Sequence, residues 1–313
     1  ALRAIIPHIR RAFSLVLSLL LVWAFTVPAQ AGRTEPGQQT IWDEIMASQA
    51  HRGLRIGARY LDEKEYALAL GELQRAVMAN PKDPGAQMLL GVAYYWNGEV
   101  DKSIECYQRS LELEPRDAQP HMLLGISLAY KGQLADALSE FQKAAQIDAS
   151  RPDIQMNLGS VEDSLNRTLD ALGHFRKAVQ LAPREPLYHY QLGMLYRKLG
   201  RDQEAAESLR NALKYFPEFE DALLELGAVE ERRGDPKAAM RSFKKATDLK
   251  SRDAVARFRL ARLYLSGQES RKARAVLTEA FHLTPEAGGA GLQLSVSYAG
   301  GKKEMPASSA SAP

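Results

Sequence analysis

Glycine recurs at Gly57, Gly91, Gly125, Gly159, Gly193 and Gly227, each 34 residues after the last, and one further step lands on Ala261. A spacing held without a single insertion leaves few folds open, because a chain that repeats in register builds the same small unit again and again. With the glycine at position 8, seven units run 50–83, 84–117, 118–151, 152–185, 186–219, 220–253 and 254–287. Other columns keep the same phase. Small residues fill position 20 (Ala69, Ser103, Ala137, Ala171, Ala205, Ala239, Ala273) and position 27 (Ala76, Ser110, Ala144, Ala178, Ala212, Ala246, Ala280). Position 24 is large throughout: Leu73, Tyr107, Phe141, Phe175, Leu209, Phe243 and Leu277. At position 15, Gly98, Gly132, Asn166, Gly200 and Gly234 suit the left-handed residue that ends a helix, and only Lys64 and Gln268 depart from that chemistry. Each unit therefore reads as a helix A, a turn, and a helix B that closes before a residue such as Pro81, Pro115, Pro183 or Pro217. One hairpin cannot bury both of its faces, so neighbours must stack. The expected fold is all-α, an α-solenoid with A helices on the inner wall and B helices on the outer.

These columns resemble the tetratricopeptide repeat family, whose template places Leu-Gly, Tyr, Ala, Phe and Pro at the same spacings. The resemblance spans residues 50–287 and implies a right-handed superhelix of helical hairpins. Two columns depart from the pattern. Position 4, often Trp in the family, is Gly53, Gln87, His121, Gln155, His189, Leu223 and Arg257; position 11 is Glu162 and Glu230 in the fourth and sixth units, which are expected to pack less tightly. In the family, positions 2, 5, 9, 12 and 13 of helix A line a groove for peptide ligands. By resemblance, the partner-binding groove here comprises Met88, Val92, Tyr95, Trp96, Met122, Ile126, Tyr130, Met156, Tyr190, Met194, Leu224, Phe258 and Arg262. Its methionines suit partners of varied shape, and Met88 and Met122 are expected to face solvent. Asp163, Lys198 and Glu231 follow later, so the groove is expected to be apolar early and charged late. The alternative is that some of these side chains pack between adjacent A helices. The subgroup that grips chaperone tails uses Lys at position 5 and Asn at position 9, and neither occurs in any unit.

Little else in the chain points to chemistry. There are 41 Lys and Arg against 38 Asp and Glu, and Arg3, Arg10 and Arg11 account for the excess. That balance argues against a polyanion partner, nucleic acid included. Cys106 is the single cysteine, which excludes an intramolecular disulfide and any zinc site with several thiolates. His8, His51, His121, His174, His189 and His282 form no His-Glu-x-x-His pair. There is no Walker loop and no Gly-x-Ser-x-Gly. Residues 32–49 and 288–313 are too few for a catalytic domain of their own. The expectation is a protein that is not an enzyme and takes no cofactor and no metal.

Outside the repeats, Arg3, Arg10 and Arg11 precede an apolar run from Ala12 to Val27, followed by Ala29-Gln30-Ala31. This reads as a secretory signal peptide over 1–31, cleaved after Ala31. Its 16-residue apolar core is shorter than the ~20 residues of a bilayer span, and an uncleaved anchor is the alternative. The chain is thus expected to be periplasmic or secreted, with no stable membrane span after cleavage. Within the lead-in 32–49, Thr40-x-x-Asp43 forms a capping box that starts the first A helix early, with Trp42 covering its flank. Residues 288–301 read as a degenerate eighth-repeat capping helix, although the alternation from Leu292 to Tyr298 also fits a strand. The tail 302–313 has the composition of disorder. Two functions follow: a scaffold that holds a protein or peptide segment of an envelope-assembly or secretion partner, or a self-assembling solenoid that forms homo-oligomers.

Overall fold

The computed structural model describes residues 41–249 and 254–283. The expected signal peptide, Thr40, the capping helix 288–301 and the tail lie outside them, as does the side chain of Trp42. The described residues form α-helices joined by short turns, with no strand among them. The A helices are α1 (Ile41–Asp62), α3 (Pro84–Trp96), α5 (Ala118–Tyr130), α7 (Pro152–Ser164), α9 (Pro186–Lys198), α11 (Glu220–Arg232) and α13 (Ala254–Ser266). The B helices are α2 (Tyr66–Ala79), α4 (Val100–Leu113), α6 (Leu134–Ile147), α8 (Thr168–Leu181), α10 (Asp202–Tyr215), α12 (Pro236–Asp248) and α14 (Ser270–Leu283). α1 begins at Ile41, ahead of the first unit's start at residue 50. Several A helices begin with proline at the first helical position, where a missing N–H costs nothing. Asp83 and Asp117 cap α3 and α5, their carboxylates accepting from the amides of Ala86 at 3.0 Å and Gln119 at 2.9 Å.

Between A and B, every hairpin turns through one left-handed residue. Gly98, Gly132, Gly200 and Gly234 take φ of 88°, 80°, 71° and 76°, and Asn166 takes 62°. Lys64 and Gln268 do the same, at 63° and 61°, although neither is a residue that favours that region. The reason is the closing hydrogen-bond pair. The amide of Glu65 donates to the carbonyl of Tyr60 at 2.8 Å and that of Lys64 to Leu61 at 3.1 Å, the same 6→1 and 5→2 bonds that Glu99 and Gly98 make in the next hairpin. Position in the hairpin overrides residue preference there.

The glycines of position 8 mark where A and B cross. A Cβ added to Gly57, Gly91, Gly125, Gly159, Gly193 or Gly227 would stand 2.5–2.9 Å from the position-24 side chain of its own unit, Leu73, Tyr107, Phe141, Phe175, Leu209 or Phe243. Glycine suits these six positions because the large side chain occupies the space a Cβ needs, so any larger residue makes it shift. The alanines and serines of positions 20 and 27 are all buried and let the helices approach. Ser103 and Ser110 satisfy their hydroxyls inside that packing, the former against Ser127 Oγ at 3.1 Å and the latter by donating to the Pro84 carbonyl at 2.9 Å.

The chain divides into two units, one ending at Ala222 and one starting at Leu223. In the first, α2 packs on α3, α4 on α5, α6 on α7 and α8 on α9, so each hairpin is covered by the next, as expected of an all-α solenoid. Its core holds Tyr107, Phe141, Met122, Leu123 and Ile154. In the second, α13 packs on both α12 and α14, and Phe243, Leu260 and Leu263 form a separate core.

Candidate functional site

The sequence-predicted groove divides once side chains are placed. In the first unit α1, α3, α5 and α7 lie against one another in succession. Positions 5 and 9 fill the seams between them. Met122 is 0% exposed and Met88 5%, and Val92, Ile126, Met156 and Tyr190 are buried as well. This corrects the expectation that Met88 and Met122 face solvent. Their side chains pack between neighbouring A helices, and Tyr190 lies on Phe219 with ring centroids 4.9 Å apart. Truncating such residues would cost stability, about 2–5 kcal/mol for a buried Met→Ala. Met194 is half-buried.

The ends of α3 and α5 are different. Tyr66, Trp96, Tyr95 and Tyr130 form a continuous run of rings. Trp96 stacks on Tyr66 at 5.5 Å and an interplanar angle of 12°, Tyr95 meets the edge of Trp96 at 5.6 Å, and Tyr130 meets Tyr95 at 5.9 Å. Tyr95 is buried, Trp96 half-buried, and Tyr130 is 44% exposed, so the run opens to water at one end. Edge and offset contacts of this kind hold rings rigidly at little entropic cost. Tyr66 belongs to helix B and lies outside the groove positions read from sequence. The signal that finds it is an aromatic residue opening a B helix, which the stacking of units sets beside the end of the next unit's helix A.

Charge lies further along the chain, where the sequence places it, and it is spent on ion pairs between successive A helices. Lys198 of α9 donates to Asp163 of α7 at 2.6 Å. In the second unit, Arg262 of α13 donates to Glu231 of α11 at 2.7 Å, with Arg259 at 3.6 Å from the same carboxylate. Arg262 is largely exposed and Phe258 is 37% exposed, while Leu224 packs against the core of that unit. Such exposed pairs contribute roughly 0–1 kcal/mol each and align neighbouring helices.

Two histidines are held by neighbouring groups. His189 Nε2 donates to the Pro183 carbonyl at 2.8 Å, and His121 Nδ1 meets Glu140 at 2.6 Å. Among the described residues no group of three or more His, Cys, Asp or Glu is placed to hold a metal ion, and no helix is long and apolar enough to cross a membrane. Burial pushes the Cys106 thiol up to about 12, so it packs as a small apolar residue rather than reacting as a thiolate. Glu162, at position 11 of the fourth unit, is buried with one carboxylate oxygen that finds no hydrogen-bond partner, and burial raises its pKa above the usual glutamate value. Glu230, its counterpart in the sixth unit, accepts from Ser242 Oγ at 2.8 Å.

Family models described as tetratricopeptide repeat match residues 60–125 and 231–293, and a second pair of matches covers 122–186 and 190–254. No curated protein matches the sequence. Among solved structures, the C-terminal part of a TPR repeat-containing protein from Cytophaga hutchinsonii is similar over 74% of this chain and 95% of its own, at 20% identity and a TM-score of 0.61. PilF of Pseudomonas aeruginosa is similar over 74% of this chain and 98% of its own, at 19% identity and a TM-score of 0.59. A structure of the Cut9–Hcn1 hetero-tetramer of the APC/C matches over 86% of this chain and 49% of its own, at 18% identity and a TM-score of 0.58. At these identities the likeness is one of fold.

Proposed function

The chain belongs to the tetratricopeptide repeat family, and on that premise we propose that it is a non-enzymatic protein–protein interaction scaffold, exported to the periplasm or outside the cell. Its partner is a segment of an envelope-assembly or secretion protein that places an apolar side chain against the aromatic run of α3 and α5. The observation that carries this reading is the run Tyr66–Trp96–Tyr95–Tyr130, anchored in the core at Tyr95 and open at Tyr130. Rigid, half-desolvated aromatics are the side chains that most often dominate binding energy at protein interfaces. The export reading rests on the arginines, apolar run and Ala29-Gln30-Ala31 of the sequence.

Because Tyr130 is exposed, Tyr130→Ala spares the core and tests the surface directly. A partner recovered by cross-linking in the native envelope should bind Tyr130→Ala at least tenfold more weakly, the equivalent of ~1.4 kcal/mol, and an exposed change on a B helix, Lys177→Ala, with wild-type affinity. Equal affinity of all three proteins would place the partner elsewhere. Export is tested separately: N-terminal sequencing of the native protein should begin at Gly32, and a chain found in the cytosol would refute it.

A further inference from the structure

The near-neutral total charge conceals a segregated one. Residues 236–278 hold twelve Lys and Arg and only three Asp and Glu. Those on helix A of this stretch have partners: Arg259 and Arg262 face Glu231, and Arg257 lies 3.7 Å from Glu279. Those on the B helices mostly do not. Lys272 pairs with Glu269, but Lys237, Arg241, Lys244 and Lys245 of α12 and Arg271 and Arg274 of α14 are exposed and form no ion pair among the described residues. On α12 the cations fall at spacings of four, seven and eight residues, a single stripe, with Ala238, Ala239, Phe243 and Ala246 buried on the opposite side.

Apart from Lys245, which sits in the last turn of α12 where a cation is favoured, this stripe works against the stability of the helices that carry it. Like charges four residues apart on a helix repel, as Lys237 and Arg241 do, and Arg241 and Lys245. The first turn of a helix favours anions, and α4, α6, α8 and α10 obey this with Asp101, Asp136, Asp170 and Asp202. Neither α12 nor α14 has an acid within its first turn, where Lys237 and Arg271 stand, and α12 relies on its capping residue Asp235, whose carboxylate accepts from the Ala238 amide at 2.9 Å. Exposed cations that repel one another and form no ion pair among the described residues are suited to an anion outside the protein.

We propose that the exposed face of α12, with the first turns of α14, docks on an anionic phospholipid bilayer. Among the described residues neither α12 nor the first turns of α14 carries an exposed aromatic side chain on which a base could stack, as a single-stranded nucleic acid would require, whereas a bilayer of headgroup phosphates asks only for accumulated positive charge. The choice of lipid over duplex nucleic acid rests on the export reading, since an exported chain meets headgroups and not chromosomes.

The test compares partition of the purified full chain onto vesicles of phosphatidylglycerol with phosphatidylcholine against vesicles of phosphatidylcholine alone, at low salt. Their ratio cancels any apolar contribution common to both. Each cation near the surface is worth about fivefold, so the triple variant Lys244→Gln, Lys245→Gln, Arg271→Gln should lower the ratio by about a hundredfold. The charge-matched control Lys82→Gln, Lys177→Gln, Arg184→Gln should leave it near wild type. Equal loss in both triples would reduce the effect to net charge and overturn the proposal, as would a wild-type ratio near one or preferential binding to duplex DNA over the anionic vesicles. A cytosolic chain that still showed the full vesicle ratio would refute export while leaving the lipid face intact.

Discussion

The crossing glycines make a claim that a paired substitution can isolate. Gly159 of α7 and Gly173 of α8 both lie inside helices, so replacing either with alanine gains the same helix propensity, about 1 kcal/mol. Their surroundings differ completely. A Cβ on Gly173 meets nothing within 4 Å, whereas one on Gly159 stands 2.7 Å from Cδ1 and Cε1 of Phe175 and 3.2 Å from the Ala171 carbonyl oxygen. Carbon atoms rest at about 3.5–4.0 Å, so the Phe175 ring would have to retreat by about 1 Å. It is buried, and overpacking of this kind costs about 1–3 kcal/mol. Gly173→Ala should therefore be stabilising by about 1 kcal/mol, while Gly159→Ala should be anywhere from neutral to about 2 kcal/mol destabilising. The difference between the two variants removes the propensity they share and leaves the crossing alone, about 1–3 kcal/mol. Solenoid repeats unfold locally as well as globally, so the measurement is amide exchange across α7 and α8 beside a urea titration. Opening constants should differ between the variants by about five- to a hundredfold. If Gly159→Ala is as stable as Gly173→Ala, the crossing geometry is wrong and with it the repeat register.

Lys64→Gly should stabilise the first hairpin by up to about 1 kcal/mol, because it relieves the left-handed lysine, and Gly132→Ala should lose a similar amount; thermal melts of the two should move in opposite directions. Tyr107 is fully buried with a hydroxyl that finds no partner, while Phe141, Phe175 and Phe243 hold the same column. Tyr107→Phe should accordingly raise the urea midpoint, by about 1–3 kcal/mol in stability. Burial raises the Glu162 pKa above its unfolded value, so its penalty is absent below the unfolded pKa and fully present once pH exceeds the folded one. Glu162→Leu should then stabilise the protein more at pH 7 than at pH 4, and a gain independent of pH would assign the effect to packing. Cys106 should resist thiol reagents at pH 8 in the folded protein and react promptly in denaturant; rapid labelling without unfolding would contradict its burial.

What could be read from the chain alone was whatever a strict period carries. The 34-residue spacing assigns every residue a column, and columns whose role is internal to one hairpin were legible. The glycine of position 8, the bulky residue of position 24 and the turn residue of position 15 each act within a single A–B pair, so their meaning repeats unchanged. Even there the structure adds Lys64 and Gln268, whose left-handed backbone follows from the closing hydrogen bonds and not from their own preference. Residues that act between hairpins were not legible. The groove positions read from the sequence as one set, yet Met88, Met122 and Tyr190 fill seams between A helices while Phe258 is 37% exposed. Tyr66 joins the aromatic run only because a B-helix start comes beside an A-helix end. Charge behaves likewise: a neutral sum is a property of composition, whereas the cationic stripe of α12 exists because a helix turns those side chains to one face and neighbouring helices bury the other. A repeat dictates local geometry from neighbours along the chain; exposure depends on what packs across the next seam, and only the folded arrangement decides that.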